Sequence, residues 1–265
     1  MSYIILQANN LVKTYTQTTG RFGLGSNQIK ALDDVSIALK AGSTLAVVGE
    51  SGSGKSTLAR CLLQLHPFDS GEVLFEGVDL AKLDKNTLRE KRKYLQMVFQ
   101  DPFASLNPRM KVGEIVGEGL LIHGLGNKAE QLAQVMAMLK RVVLTEADAQ
   151  KYPHQFSGGQ RQRIGIARAL VLKPKVVVCD EPVSALDVSV QAQILLLLKE
   201  LQAEMALSYV FISHDLRVVR HIADEIVVMN AGKIIEFGKV VDVYNAPQQP
   251  YTKQLLSAIP GRKAA

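Results

Sequence analysis

Gly49-Glu50-Ser51-Gly52-Ser53-Gly54-Lys55-Ser56-Thr57 is the stretch on which the reading of this 265-residue chain turns. It meets the pattern G-x-x-x-x-G-K-[ST] through Gly49, Gly54, Lys55 and Ser56. Ahead of it, Leu45-Ala46-Val47-Val48 is a short continuous apolar run of the kind buried in a parallel sheet. Residues 57–65 carry helical propensity, so the glycine loop joins a strand to a helix. In that setting backbone N–H groups gather at the positive end of the helix and can surround phosphate oxygens. The glycines matter because a Cβ would block that approach. Lys55 can reach the β- and γ-phosphates of a nucleotide as a point charge, and the Ser56 hydroxyl can coordinate Mg²⁺. Ser51, Gly52, Ser53 and Thr57 complete the expected cradle. A chance match occurs on the order of once per hundred chains of this size. The same loop serves kinases, GTPases and motors, so it implies nucleotide binding and little more.

Outward from the loop, residues 6–15 and 31–39 alternate polar and apolar side chains, as half-buried antiparallel strands do. Between them lies a glycine-rich loop, Gly20-Arg21-Phe22-Gly23-Leu24-Gly25-Ser26. From residue 114 to 149 helix formers take over, with apolar positions three and four apart, which predicts a helical insertion. Three sheet-like runs follow: Val176-Val177-Val178-Cys179, Tyr209-Val210-Phe211-Ile212 and Glu225-Ile226-Val227-Val228-Met229. Helix-like segments such as 191–204 separate them, and strands alternating with helices imply a parallel sheet. Beyond Val240 comes a short tail rich in Pro and Gln, expected to lie peripheral to the nucleotide core. No internal repeat is present.

Hydrophobic residues make up 47% of the chain, enough for the core of a globular protein. The longest apolar runs, such as Ile194-Leu195-Leu196-Leu197-Leu198, fall short of the roughly 20 residues that cross a bilayer. The N-terminus lacks both a basic flank and a long apolar core, so no secretory signal is expected and the protein should stay in the cytoplasm. The net charge of +6 comes from scattered Lys and Arg, which reads as a solvated basic surface and not as a nucleic-acid footprint. Cys61 and Cys179 have no paired spacing and sit in apolar surroundings, as packing residues do.

The apolar run 176–179 ends in Asp180-Glu181. An acid at the carboxyl end of a buried strand beside a phosphate loop can hold Mg²⁺ through water, and Asp180 fits that role. Alternation along a strand would send the Glu181 carboxylate to a different face from that of Asp180. The functional reading of Glu181 is a general base for an attacking water, against the plainer reading of a solvated strand end.

Phe156-Ser157-Gly158-Gly159-Gln160-Arg161-Gln162-Arg163 resembles the signature sequence of ABC (ATP-binding cassette) ATPases, with Phe156 where Leu is usual. Alone, Ser-Gly-Gly marks a helix N-terminus: Ser157 can cap it, and the open amides make a further anion site. Here it follows 49–57 and precedes Asp180-Glu181, the order the ABC family shows across nearly the whole chain. The resemblance implies an α/β fold class: a P-loop ABC nucleotide-binding domain with a parallel-sheet core, an antiparallel β subdomain and an inserted helical subdomain. It implies residues 1–240 as the ATPase domain, with helices inserted at about 101–160, and 241–265 as a C-terminal extension.

Roles follow from the same resemblance. Tyr15 matches the aromatic that stacks on adenine, although an early strand aromatic otherwise reads as packing. Gln100, in Val98-Phe99-Gln100-Asp101, matches the glutamine that contacts Mg²⁺ and links the site to a membrane partner. Ser184-Ala185-Leu186-Asp187 matches the loop between paired cassettes, with Asp187 communicating across the dimer; alone it reads as a helix start. His214, in Ile212-Ser213-His214-Asp215, matches the switch histidine on the γ-phosphate. Of the 5 histidines only this one follows a buried strand, and His66, His123, His154 and His221 read as structural. Family cassettes pair head to tail, so Ser157, Gly158, Gly159 and Gln160 of one subunit would close over ATP held by the other.

After Gln100, Asp101-Pro102-Phe103-Ala104-Ser105-Leu106-Asn107-Pro108-Arg109 resembles the oligopeptide and dipeptide importer ATPases. Gln249-Pro250-Tyr251-Thr252, with Leu255-Leu256 and Ala258-Ile259-Pro260, is similar to that group's C-terminal extension, with Gln249 where His is common. No cysteines for an iron–sulfur cluster stand there, which matches the second, cluster-free ATPase of a pair. The implied partners are a related ATPase subunit, two membrane permeases and an extracytoplasmic substrate-binding protein, at the cytoplasmic face of the inner membrane, and no nucleic acid. Nickel-type and antimicrobial-peptide-type systems share the architecture. Soluble DNA-repair or ribosomal ABC proteins carry coiled-coil insertions, zinc cysteines or two cassettes, and an exporter is disfavoured by the post-Gln100 segment and the tail.

Overall fold

The computed structural model describes residues 3–19 and 25–259, so residues 20–24 of the glycine-rich loop and Pro260 of the tail motif lie outside the described residues. The chain forms two compact units. The described residues up to Leu83 and from Val210 onward make the first, and Asp84–Tyr209 the second.

In the first unit β1 (Ile4–Thr19) and β2 (Gly25–Lys40) pair antiparallel. Their alternation has a direct packing cause: Leu6, Ala8, Leu11, Val35, Ile37 and Leu39 all turn inward and are buried. β3 (Thr44–Val48), buried at every position, leads through the glycine loop into α1 (Lys55–Leu62). β4 (Ser70–Phe75) and β5 (Val78–Asp79) complete an antiparallel sheet of order β2-β1-β4-β5.

The second unit opens with α2 (Lys85–Arg92), β6 (Leu95–Val98), α3 (Pro102–Ser105), α4 (Val112–Ile122) and α5 (Lys128–Arg141). It continues through α6 (Gly158–Leu170), β7 (Val176–Asp180) and α7 (Val188–Met205). β6 and β7 are parallel. The helical stretch at 114–149 is chiefly α4 and α5, with left-handed Gly124 and Gly126 between them. The Asn127 side chain caps α5 by accepting from the amides of Ala129 and Glu130. The apolar run 194–198 lies in α7 and extends beyond its buried stripe: Ile194, Leu197, Leu198 and, further on, Leu201 are buried, while Leu196 is exposed.

The chain returns to the first unit within β8 (Ser208–Ser213) and adds α8 (Leu216–Ile222), β9 (Glu225–Asn230), β10 (Lys233–Lys239), α9 (Val240–Asn245) and α10 (Pro250–Ser257). There the strand order is β10-β9-β3-β8, with β3 parallel to β9 and β9 antiparallel to β10. β3 and β9 bury Ala46, Val48, Ile226 and Val228 against α8 to α10.

Four strands, β4, β5, β6 and β10, and four helices, α2, α3, α9 and α10, are not predicted by the sequence patterns above. α2 buries no residue, so it has no apolar stripe to read; Asp84 defines it by accepting from the amides of Asn86 and Thr87. Both cysteines are buried and free, as expected. Burial pushes the Cys61 thiol up to about 11 and raises that of Cys179 in the same way. Among the described residues no helix is long and apolar enough to cross a membrane.

Candidate nucleotide site

β3 delivers the chain into a loop that tolerates no side chain at its two ends. Gly49 has a φ of 151°, and a Cβ there would stand 2.2 Å from the Met229 carbonyl oxygen on β9. Gly54, with a φ of 105°, would place a Cβ 2.2 Å from the Ala31 carbonyl oxygen on β2. Neighbouring strands therefore grip the loop at both ends. Within it, Ser53 N donates to Glu50 O at 3.2 Å, and Gly232 N donates to Ser53 O at 3.1 Å.

Lys55 is only 5% exposed, and its ammonium folds back over the loop. Nζ donates to Gly49 O at 2.8 Å, to Glu50 O at 2.7 Å and to Ser53 Oγ at 3.4 Å. These neutral acceptors hold the charge that a phosphate oxygen would hold more strongly. Ser51 and Gly52 stand exposed on the loop, while Ser56 and Thr57 are half-buried in the first turn of α1.

Tyr15, on β1, is half-exposed, and its hydroxyl lies 3.2 Å from His66 Nδ1. The Lys13 ammonium is 5.4 Å from the ring centroid. His66, read as structural, thus meets the hydroxyl of the proposed stacking ring. His214 follows β8 and is exposed. It is flanked by a tight turn in which Ser213 Oγ accepts from Asp215 N at 3.0 Å. Asp215 caps α8 and binds Arg217, whose guanidinium holds the aspartate below the usual carboxylate range.

In the second unit Asp180, 5% exposed, is the last residue of β7. The strand ends there, because Glu181 adopts a left-handed backbone with φ of 46°. This corrects the expectation drawn from strand alternation: a turn, not the pleat, redirects the Glu181 carboxylate. Such a conformation costs a non-glycine residue about 1–3 kcal/mol and persists where surrounding contacts enforce it. Here the Ser184 amide and hydroxyl both donate to Glu181 O, at 3.3 and 3.1 Å. Gln100 Nε2 donates to Glu181 Oε2 at 3.2 Å, so two residues read separately from the sequence touch.

Ser157 caps α6 in a reciprocal pair: Gln160 N donates to Ser157 Oγ at 3.3 Å and Ser157 N to Gln160 Oε1 at 3.0 Å. Gly158 and Gly159 form the first turn. A Cβ on Gly159 would stand 2.4 Å from Val190 Cγ1, so the first turns of α6 and α7 pack without space for a methyl group. Asp187 caps α7, accepting from Ser189 Oγ at 2.7 Å and Val190 N at 3.0 Å. The Ser189 hydroxyl and then that amide lower its pKa. The helix start read from Ser184-Ala185-Leu186-Asp187 is therefore physically present.

The importer-like segment 101–109 forms α3 under an Asp101 cap, with Pro102 in its first turn. It is pinned to α6, since the Arg161 guanidinium lies 4.9 Å from the Phe103 ring centroid and Arg168 donates to Ser105 O at 2.5 Å.

One expectation fails outright: the tail is not peripheral. The Tyr251 hydroxyl accepts a hydrogen bond from Glu50 N, inside the phosphate loop, at 3.1 Å. Sequence reasoning saw the Gln249-Pro250-Tyr251-Thr252 motif without this contact, because 201 residues separate its partners.

A glycine loop gripped by strands, a helix-capping Ser-Gly-Gly and a strand-end acidic pair define an ATP-binding cassette. The profile of the family described as "ABC transporter" matches residues 32–184, and the chain belongs to that family and to its ATPases. It is 52% identical over 236 residues to the oligopeptide transport ATP-binding protein OppF of Streptococcus mutans, covering 89% of this chain and 77% of that protein. It is also 52% identical over 256 residues to the dipeptide transport ATP-binding protein DppF of Escherichia coli K12, covering 97% and 76%. Among solved structures, the dimeric ATP-binding cassette MJ0796 in a post-hydrolysis state with ADP and Pi matches with a TM-score of 0.78 at 32% identity. That match covers 89% of this chain and 98% of the other.

Proposed function

We propose that this chain is the ATP-hydrolysing subunit that powers import of dipeptides or oligopeptides through a membrane ABC complex. The observation that carries the proposal is the identity of about half of all residues to OppF and DppF along most of the chain. Residues 1–240 would form the ATPase domain, with helices inserted at about 101–160, and 241–265 the extension typical of peptide importers.

The assembly would contain a paralogous ATPase, two permeases and an extracytoplasmic binding protein, with this subunit at the cytoplasmic face. In it, Lys55 and the amides of Ser51, Gly52, Ser53, Gly54, Ser56 and Thr57 would bind the phosphates, and Tyr15 would stack on adenine. The oxygen ligands for Mg²⁺ would be Ser56, Gln100 and Asp180. These are hard oxygen donors, the kind magnesium takes alongside phosphate and water. The metal would supply charge neutralisation at the β- and γ-phosphates. Glu181 would accept a proton from the attacking water as that oxygen bonds to the γ-phosphorus and the bond to the β-bridging oxygen breaks. Gln100, whose Nε2 donates to Glu181 Oε2, would be the partner through which permease docking acts on that base. His214 would donate to the γ-phosphate. Ser157, Gly158, Gly159 and Gln160 would present amides to nucleotide on the partner subunit, and Asp187 would report across the interface.

The test is ATP hydrolysis by the complex reconstituted in vesicles. Peptide-loaded binding protein is expected to stimulate hydrolysis. Stimulation by nickel chelates in its place would reassign the cargo.

A further inference from the structure

The peptide group linking Gly49 and Glu50 is held at both ends. Its oxygen accepts from Lys55 Nζ at 2.8 Å, and its N–H donates to the Tyr251 hydroxyl at 3.1 Å. One ligand of this peptide is the lysine expected to meet phosphate, and the other comes from the C-terminal extension. An ammonium on the carbonyl polarises the group and strengthens the hydrogen bond at its opposite end.

Tyr251 is itself held rigidly. The Glu236 carboxylate on β10 accepts from Gln248 N at 2.8 Å and Gln249 N at 3.1 Å, fixing the start of α10. Leu256 is buried in the cluster that contains Ala46 and Val48 of β3, and Tyr251, Leu255 and Ile259 pack against it. The extension thus rests on the same strand that delivers the phosphate loop, and its hydroxyl reaches the loop's first peptide.

We propose that Tyr251 is a positioning residue for nucleotide binding, its hydroxyl holding the peptide between Gly49 and Glu50 in the orientation that places Lys55 and the following amides. The extension then helps to set the geometry of the phosphate loop. A loop ordered in advance does not have to be ordered when nucleotide arrives, so losing the hydroxyl weakens binding. The proposal rests on the reading of 49–57 as the nucleotide loop.

The experiment compares Tyr251→Phe, Leu255→Ala and Lys55→Ala in the full chain, by equilibrium binding of MgATP, thermal unfolding and hydrogen exchange of the Glu50 amide. Tyr251→Phe keeps the ring and removes one hydrogen bond. It is expected to raise the Kd at least about threefold and up to about tenfold. Its melting temperature should stay within about 2 °C of the unaltered chain, with faster Glu50 exchange. In the reconstituted complex KM for ATP should rise in step while kcat changes less than about twofold. Leu255→Ala removes packing from the same helix but leaves the hydroxyl, and should lower the melting temperature more than Tyr251→Phe does while weakening Kd less.

A Tyr251→Phe Kd less than threefold weaker, or equal weakening in both extension variants, overturns the proposal. Lys55→Ala separates the two readings. If it binds MgATP normally, the assignment of the loop fails; if it loses binding while Tyr251→Phe does not, only the role of Tyr251 fails.

Discussion

Gly159→Ala tests whether the first turn of α6 is held by contact with α7. The substitution places a methyl group 2.4 Å from Val190 Cγ1, well inside van der Waals contact, and Val190 is too short to swing aside. Overpacking of this kind costs about 1–3 kcal/mol. Replacing Gly by Ala in a helix recovers up to about 1 kcal/mol, less in a first turn. The single variant should therefore lose roughly 0.5–2 kcal/mol. Val190→Ala removes the opposing methyl, so the double variant should regain most of the loss. The cycle then gives a coupling of about 1–3 kcal/mol between the two sites. The chain contains no tryptophan, so urea unfolding is followed by circular dichroism. In the reconstituted complex, if the signature amides meet the partner's nucleotide as proposed, Gly159→Ala should lower kcat at least about tenfold by displacing them. Val190→Ala should restore part of that rate. A coupling below about 0.5 kcal/mol would refute the reasoning, since the packing of α6 on α7 would then not set the geometry of the amides.

Three further outcomes follow. Glu181→Gln should bind MgATP normally and accumulate a closed dimer, with kcat down by about 10²-fold or more; hydrolysis at the unaltered rate removes Glu181 as the base. Tyr15→Ala should weaken ATP by about 1–3 kcal/mol if the ring stacks on adenine, whereas Tyr15→Phe, which loses only the His66 bond, should bind nearly normally in the same titration. For Glu236, burial would raise the carboxyl pKa, but the Gln248 amide and its neighbours outweigh burial and hold it below 4.5. A folded-state pKa below the unfolded one stabilises docking of the extension fully above pH 4.5, and that contribution is lost as pH falls through the depressed value. Exchange of the Gln248 and Gln249 amides should accelerate in that acid window, and in Glu236→Gln it should be fast throughout; protection that persists in Glu236→Gln contradicts the assignment.

The parts of the site that were legible are those whose cause is local. β3, the glycine loop and α1 could be read because a buried strand, close backbone approach and helix entry each demand particular residues in sequence. Ser157 was legible as a cap for the same reason, and its partner Gln160 lies three residues on. Glu181 was legible as an acid but not in its direction, since alternation assumes a strand that in fact stops at Asp180. α2 escaped notice because it buries nothing, and periodicity reports only burial.

From the sequence alone came the phosphate loop, the signature, the acidic pair, the α/β class and the likeness to peptide-importer ATPases. These depend on residue types at short spacings, where backbone geometry and side-chain chemistry are decided by near neighbours. The tertiary structure alone decided that Gln100 touches Glu181, that Val190 leaves no space beside Gly159, that His66 meets the Tyr15 hydroxyl, and that Tyr251 reaches the amide of Glu50. Each of those contacts joins residues at least 31 positions apart. Chain packing brings such partners together, and no local pattern in either partner records the other.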